Sequence, residues 1–141
     1  MQELLDLVDE DTAAFDRIMA CFGMPKGTDE EKAARAAALE EATLYAASVP
    51  LKTMEASLKA MPLLLEMAQK GNPASASDAG VGALAARAAC RGAELNVRIN
   101  SAGLKDKAPA QPLIERAAEI LKEAEEFEEK ILKAVNEHID L

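Results

Sequence analysis

Two aspartates and two asparagines are the residues of this chain best placed to do polar chemistry. Asp78 and Asn96 are 18 residues apart, about five turns of an α-helix, so on one helix they lie on the same line, and Asn100 follows Asn96 by one turn. The residues between them on that line are all small: Gly82, Ala85, Ala89 and Gly92. Small residues leave room for a ligand, and a carboxylate with amides offers acceptors and donors to a polar heterocycle. The line could therefore form the floor of a pocket.

The same line has a structural interpretation. Small residues also allow two helices to pack closely, Asp78 could cap its own helix beside Ser77, and the asparagines could bond neighbouring backbone. Both interpretations stay open at this point.

Asp11 presents a similar choice near the N-terminus. It stands where an apolar residue is expected in a stripe formed by Leu4, Val8, Phe15, Ile18 and Phe22. A helix cap or an arginine could satisfy this carboxylate. A partly buried Asp11 would instead suit proton transfer.

Four or five helices and no firm strand are predicted around these residues. The first spans about residues 3–22 and ends at a Gly- and Pro-containing turn over 23–27. Thr28 and Glu31 form a capping box for the second, which runs to about residue 48. Pro50 either kinks this helix or begins a new one, and Gly71 supplies a stop.

The third and fourth helices are predicted over about 75–101 and 113–138. Residues 95–100 alternate apolar and polar, but no turn residue separates them from the helix, so we assign them to it. On the third helix we expect an aliphatic stripe in the core (Val81, Leu84, Leu95 and Ile99) and a charged face in solvent (Arg87, Arg91, Glu94 and Arg98).

Composition and charge exclude several classes of protein. The chain has 16 Lys+Arg against 25 Asp+Glu, a net charge of −9, and 3% aromatic residues, so it lacks the basic surface and stacking rings of a nucleic-acid partner. No apolar run is long enough to span a membrane. The acidic N-terminus lacks the order of a signal peptide, and Cys21 and Cys90 are isolated, so we expect a cytoplasmic protein.

The sequence also lacks the residue patterns that are typical of metal-binding and nucleophilic sites. No His, Cys and carboxylate cluster has metal-ligand spacing, so we expect no metal. His138, the single histidine, lies at the end of the last helix, where a cation is favoured by the helix dipole, and we interpret it as structural.

These elements predict an all-α fold, an antiparallel bundle of four to five long helices over residues 1–141 as a single domain. A bundle of this size has marginal burial, so we expect it to form a homodimer or a higher homo-oligomer.

Two segments carry a family resemblance. NPASASDAGV at 72–81 and RGAELNVRIN at 91–100 together resemble the cyclodeaminase/cyclohydrolase family, which includes the C-terminal domain of formiminotransferase-cyclodeaminase and bacterial methenyltetrahydrofolate cyclohydrolases. The DTAAF segment at 11–15, the MPK turn at 24–26 and the VPL segment at 49–51 resemble the same family in the same order. The resemblance covers nearly the whole chain.

The resemblance implies a dimerising helical domain that handles a one-carbon unit on a tetrahydrofolate derivative, its small-molecule partner, without a metal. The deaminase closes the formimino group onto N10 with loss of ammonia, and the hydrolase opens the methenyl bridge with water. It implies proton transfer or cation stabilisation by Asp78 and Asp11, orientation of the pterin or tail by Asn72, Ser77, Asn96 and Asn100, and an apolar wall at Phe15.

One departure from the family accompanies this resemblance. Members usually begin with a further helical segment and a Pro-Gly-Gly-Gly-Ser loop that helps to form the folate site, and this sequence contains neither. We expect the apolar surface thus left uncovered to promote association. The alternative to an enzyme is a non-catalytic helical dimerisation or scaffold module that keeps the family fold.

Overall fold

The computed structural model describes residues 2–139, and it is built from four α-helices. Helix α1 spans Gln2–Phe22, α2 spans Asp29–Lys70, α3 spans Ala76–Ala102 and α4 spans Gln111–Asn136. Short 3₁₀ turns at Pro73–Ser75 and Ala108–Ala110 precede α3 and α4. Residues 2–139 contain no strand, which confirms the all-α prediction and the assignment of residues 95–100 to a helix. No helix in this range is long and apolar enough to cross a membrane.

The capping box predicted at the start of α2 is present. The Thr28 hydroxyl accepts from the backbone N–H of Glu31 at 3.2 Å, and the Glu31 carboxylate accepts from the backbone N–H of Thr28 at 3.1 Å. The same carboxylate oxygen accepts from the N–H of Gly27 at 2.7 Å. These bonds satisfy donors that the first turn of a helix leaves free.

Helix α2 continues for 42 residues through both of its prolines, so the predicted end near residue 48 is wrong and Pro50 does not begin a new helix. Pro50 has no N–H, so the carbonyl of Ala46 lacks its normal donor within the helix. The side-chain Nδ2 of Asn100, on α3, donates to that carbonyl at 3.0 Å. Tertiary structure thereby replaces the bond that the proline removes.

The main core lies where α2, α3 and α4 pack together, and α3 contributes its small side chains to it. Its buried face consists of Ala79, Ala83, Cys90, Ala93 and Val97. The expected aliphatic stripe lies outside this core, with Val81 65% and Ile99 70% exposed, so the prediction that it packs inside is wrong. Small residues let the backbone of α3 approach two neighbouring helices at once, and the larger side chains are left on the outer face.

Two further expectations for α3 are corrected. Glu94, expected in solvent, is only 8% exposed and lies 3.5 Å from Arg91 and 3.4 Å from Arg98. The small residues that share a line on α3 lie in different environments. A Cβ added at Gly82 would come within 2.9 Å of a Leu64 methyl on α2, whereas one added at Gly92 would meet nothing within 4 Å.

The buried face predicted for α4 is confirmed in its central part. Ala117, Ile120, Ala124 and Ile131 are fully buried, while Leu113 and Phe127 are partly buried against the core. The opposite face carries the glutamates and lysines, as expected of an amphipathic helix.

Helix α1 packs along the N-terminal half of α2 through a narrow seam. Its buried residues, Leu7, Ala14 and Cys21, are one heptad apart. Leu7 and Ala14 belong to a small second core with Ala46, Val49 and Ala56 of α2. Because α1 has one main neighbour, a narrow stripe is enough, and the predicted stripe of Leu4, Val8, Phe15 and Phe22 is exposed instead.

A polar junction supplements this seam. The Glu10 carboxylate accepts from the Tyr45 hydroxyl at 2.8 Å and forms an ion pair with Lys52, while Arg17 lies over the Tyr45 ring at 4.3 Å. The hydrogen bond from Lys52, supported by that from Tyr45, lowers the pKa of Glu10 below 4.5.

Acid is expected to loosen α1 from α2 through this junction. Because the folded-state pKa of Glu10 is lowered, its bonds stabilise the fold above pH 4.5 and are lost as the pH falls below that value. Tyr45 is the one tyrosine of a chain without tryptophan, so its fluorescence reports on the junction directly. In a pH titration from 7 to 2, the wild type should show a tyrosine transition below pH 4.5. Glu10→Gln should remove it, and an unchanged transition in that variant would contradict this assignment.

Candidate active site

An open groove runs between α1 and α3, with α2 as its floor. It consists of three adjoining segments of about 400, 220 and 410 Å³. Asp11 and Asn96 line both the first and the second segment, and Ile18 lines both the second and the third, so the segments are continuous. We call this feature the α1–α3 groove.

The central segment brings together four of the seven residues predicted for the site. Asp11 and Phe15 approach from α1, and Asn96 and Asn100 from α3, with Ala46 of α2 between them. They meet because α1 and the C-terminal half of α3 both lie against α2 around Ala46 and Pro50. Asp11, Phe15 and Asn96 are exposed, so the segment is open to solvent and to a ligand.

Asn100 has a structural role within this segment. Its amide nitrogen is used on the Ala46 carbonyl, which is the backbone bond that the structural interpretation of the asparagines anticipated. The side-chain carbonyl Oδ1 remains as an acceptor facing a fixed position, because the bond to Ala46 restricts the rotation of the amide. Asn100 can therefore both hold α3 against α2 and present an oxygen to a ligand.

The remaining three predicted residues lie at the N-terminal end of α3. Eighteen residues of helix separate Asp78 from Asn96, about 27 Å along the axis, so the two do not meet within one chain. Asn72 caps the preceding 3₁₀ turn by accepting from the N–H of Ala74 at 3.1 Å. Ser77 and Asp78 are exposed in the first turn of α3, where a negative charge is favoured by the helix dipole.

Several residues that line the groove were not anticipated from sequence. Thr12, Pro50 and Thr53 line the first segment, and Lys32, Arg35, Glu40 and Lys105 line the third. The last four come from the start of α2 and from the α3–α4 connection, which are distant in sequence. Only the packing of the C-terminal end of α3 beside α2 brings them together, so no local pattern could have indicated them.

Cys90 and His138 are in environments that suit structural roles. Cys90 is fully buried, and burial raises the pKa of its thiol to about 11, so almost none of it is thiolate at neutral pH. His138 lies 3.1 Å from the Ala68 carbonyl and donates to it through Nε2, which supports the structural interpretation. Among residues 2–139, no three His, Cys, Asp or Glu side chains are grouped as metal ligands.

The sequence of this chain is similar to those of one family of proteins. The sequence pattern of the family described as formiminotransferase-cyclodeaminase matches residues 1–119. The methenyltetrahydrofolate cyclohydrolase of Methylorubrum extorquens is 40% identical over 137 residues, 97% of this chain and 66% of that protein. The formimidoyltransferase-cyclodeaminase of Sus scrofa is 38% identical over 122 residues, 86% of this chain and 23% of that protein.

A solved structure has the same fold. The formiminotetrahydrofolate cyclodeaminase of Thermotoga maritima matches with a TM-score of 0.82 and 24% identity, over 99% of this chain and 65% of that one. The four helices thus have the arrangement of a cyclodeaminase domain. The chain itself belongs to the formiminotransferase-cyclodeaminase family, which confirms the resemblance seen in the sequence. It spans just under two thirds of the length of these two bacterial proteins.

Proposed function

We propose that this domain, which we take to be the single domain expected over residues 1–141, hydrolyses the methenyl bridge of 5,10-methenyltetrahydrofolate to give 10-formyltetrahydrofolate. The observation that carries the proposal is the relative named methenyltetrahydrofolate cyclohydrolase, identical at 40% of positions over 97% of this chain. The α1–α3 groove supports it, because it places a carboxylate and two amides in one solvent-open segment.

The reaction requires addition of water and proton transfer at a cationic carbon. Water adds to the methenyl carbon, which lies between N5 and N10, and releases one proton. The hydroxyl of this adduct then loses its proton as it becomes the formyl oxygen, the carbon–N5 bond breaks, N5 takes up a proton, and the carbon stays on N10 as a formyl group. A carboxylate beside this carbon stabilises the cation and can accept the proton of the attacking water. These steps use water and protein side chains alone.

Each groove residue receives a role on this proposal. Asp11 is the carboxylate beside the one-carbon centre, because it lines both the first and the central segment. Asn96 and the free oxygen of Asn100 orient the pterin through its ring nitrogens and amino group. Phe15 supplies an apolar wall against the ring.

A second candidate is the cyclodeaminase reaction on 5-formiminotetrahydrofolate. The family pattern and the relative from Sus scrofa favour it. In that reaction N10 attacks the formimino carbon, the carbon–nitrogen bond to the imino group breaks, and ammonia leaves with the protons it needs. The same carboxylate would serve, since both reactions pass through a tetrahedral carbon between N5 and N10.

Self-association through α3 would give Asp78 a place at the groove. The exposed outer face of α3 is close to self-complementary about residue 90. If a second copy packs antiparallel on it, Val81 faces Ile99, Leu84 faces Leu95, and Ala88 faces Gly92. Gly92 has open space around it, which permits close approach. Asp78 of one copy then lies within about a helical turn of Asn100 of the other.

A second copy on this face would bring the N-terminal end of α3 of one copy beside the C-terminal half of α3 of the other. On this arrangement Asp78 and Ser77 complete the groove of the second copy, with Asn72 holding the turn that places them.

The oligomeric state tests this arrangement. We expect a dimer in analytical ultracentrifugation, and Ala88→Glu should convert it to monomer by placing like charges at the axis. Ala37→Glu, at another exposed alanine, on α2, is the matched control and should leave the dimer intact. A wild-type monomer, or a dimer unaffected by Ala88→Glu, would overturn the arrangement.

The hydrolase is tested by the loss of the near-ultraviolet absorbance of the methenyl bridge, measured against a buffer blank. Accelerated loss supports the hydrolase, and release of ammonia from 5-formiminotetrahydrofolate supports the deaminase. Absence of both activities and of binding would support the scaffold alternative. The free, isolated cysteines fit a reducing compartment, and on that ground we place the domain in the cytoplasm.

A further inference from the structure

The third segment of the groove carries a group of cations that the proposed reaction does not use. Lys32, Arg35 and Lys105 line it together with one carboxylate, Glu40, and the Lys32 ammonium also lies 2.9 Å from the Asp29 carboxylate, so the local balance is three positive charges against two negative. The whole chain has a net charge of −9, so this local excess is opposite in sign to that of the protein. An excess of this kind in a cavity favours a ligand with carboxylates.

The one carboxylate of the segment is already bound. Glu40 Oε1 accepts from the backbone N–H of Lys105 at 2.6 Å and from that of Asp106 at 3.2 Å. These bonds fix the α3–α4 connection beside the segment. The Lys105 ammonium therefore does not depend on Glu40 for its position.

Arg35 is held in place before any ligand arrives. Its Nε donates to the carbonyl of Cys21 at 3.0 Å, and its guanidinium lies 5.7 Å from the centre of the Phe22 ring. Two of its nitrogens contact the last turn of α1, which leaves the remaining N–H groups as donors in a fixed orientation.

Most of the remaining lining is apolar and suits an aromatic ring. Ile18, Phe22 and Leu39 form the walls of a cavity of about 410 Å³, which adjoins the central segment at Ile18. The groove thus passes from a polar centre at Asp11, along an apolar wall, to a cationic end.

The length of α1 along the groove can be compared with that of a folate. From Asp11 to Phe22 the axis of α1 advances about 16 Å. The aminobenzoyl-glutamate part of folate has roughly the length of three extended residues, about 10 Å. A one-carbon centre beside Asp11 would place the ring toward Ile18 and the glutamate carboxylates about 6 Å short of Phe22, a gap that the long side chains of the cations can span.

We propose that the cationic end of the α1–α3 groove, formed by Lys32, Arg35 and Lys105, binds the glutamate carboxylates of the folate substrate. The proposal rests on the proposed function for the identity of the ligand. It makes these residues determinants of affinity, since they lie more than a ring's length from the reacting carbon.

Direct binding of p-aminobenzoyl-L-glutamate tests this site without turnover. We expect the dianion to bind, its dimethyl ester to bind at least about tenfold more weakly, and the difference to shrink as salt rises. Arg35 supports α1, so the variant of choice is Lys32→Gln with Lys105→Gln, both exposed. It should lose the preference for the dianion. Lys122→Gln with Lys130→Gln, an exposed pair on α4 that changes net charge equally, should keep it.

Kinetics separate this proposal from the proposed function. In the Lys32 and Lys105 double variant, we expect the KM for methenyltetrahydrofolate to rise about tenfold with kcat within about twofold. Turnover by the wild type with an unchanged KM in the variant, and equal binding of dianion and ester, would overturn the carboxylate site and leave the function standing. Dianion binding lost in the variant, without turnover of either folate by the wild type, would support the site and refute the function.

Discussion

Asp11→Asn is expected to slow hydrolysis of methenyltetrahydrofolate by about 100-fold or more, because positioned proton-transfer groups contribute about 10²–10⁴-fold to rate. The substitution keeps the size of the side chain and removes its charge. Asp11 is exposed in the groove, so the fold should not change. The measurement is the initial rate of absorbance loss after subtraction of the uncatalysed rate, with helicity by circular dichroism as the check on folding.

Asp16→Asn is the matched control for this experiment. Asp16 is an exposed aspartate on the same helix and lines no segment of the groove. It should retain the wild-type rate. Equal loss in both variants would assign the effect to general charge, and full activity in Asp11→Asn would remove this carboxylate from the mechanism.

Ala83→Leu is expected to lower the free energy of unfolding by about 1–3 kcal/mol, because the core side of α3 has no room for added carbons. Ala83 is fully buried where α3 packs against its neighbours. At the next position, Leu84 is largely exposed, and Leu84→Ala should change the free energy by less than about 0.5 kcal/mol. Enlarging Ala83 would thus lower the free energy of unfolding more than truncating its neighbour Leu84.

Denaturant unfolding at low protein concentration measures both variants without a contribution from self-association. A second enlarged alanine, Ala37→Leu on the exposed face of α2, controls for the substitution itself. If Leu84→Ala were the more destabilising change, the aliphatic stripe would lie in the core after all.

Most of the helix boundaries were predictable from the sequence because they carry local signals, whereas the end predicted near residue 48 was wrong. The capping box at Thr28 and the stop at Gly71 were both correct. The orientation of α3 was not predictable, because a stripe of large residues and a stripe of small ones both repeat at helical spacing. Hydrophobicity favours the large stripe, whereas the close approach of two neighbouring helices requires the small one. Only the packed structure decides between them.

The site was also predictable only in part. Asp11, Phe15, Asn96 and Asn100 were predicted and lie together. Asp78 shares a line with Asn96, but a line on a helix fixes direction around the axis and leaves a separation of about 27 Å along it. The cationic end of the groove was not predicted at all, because Arg35 and Lys105 lie on different elements and approach each other only in the folded chain.

The bond from Asn100 to the Ala46 carbonyl links two residues that are 54 positions apart in sequence. An amide is needed at position 100 because a proline stands at position 50 and leaves that carbonyl without a donor. A residue with an N–H at position 50 would restore the helical bond. An amide at position 100 would then no longer be needed to donate to the Ala46 carbonyl. Positions 50 and 100 should therefore covary among relatives, with the asparagine free to change its role at the groove only where the proline is absent.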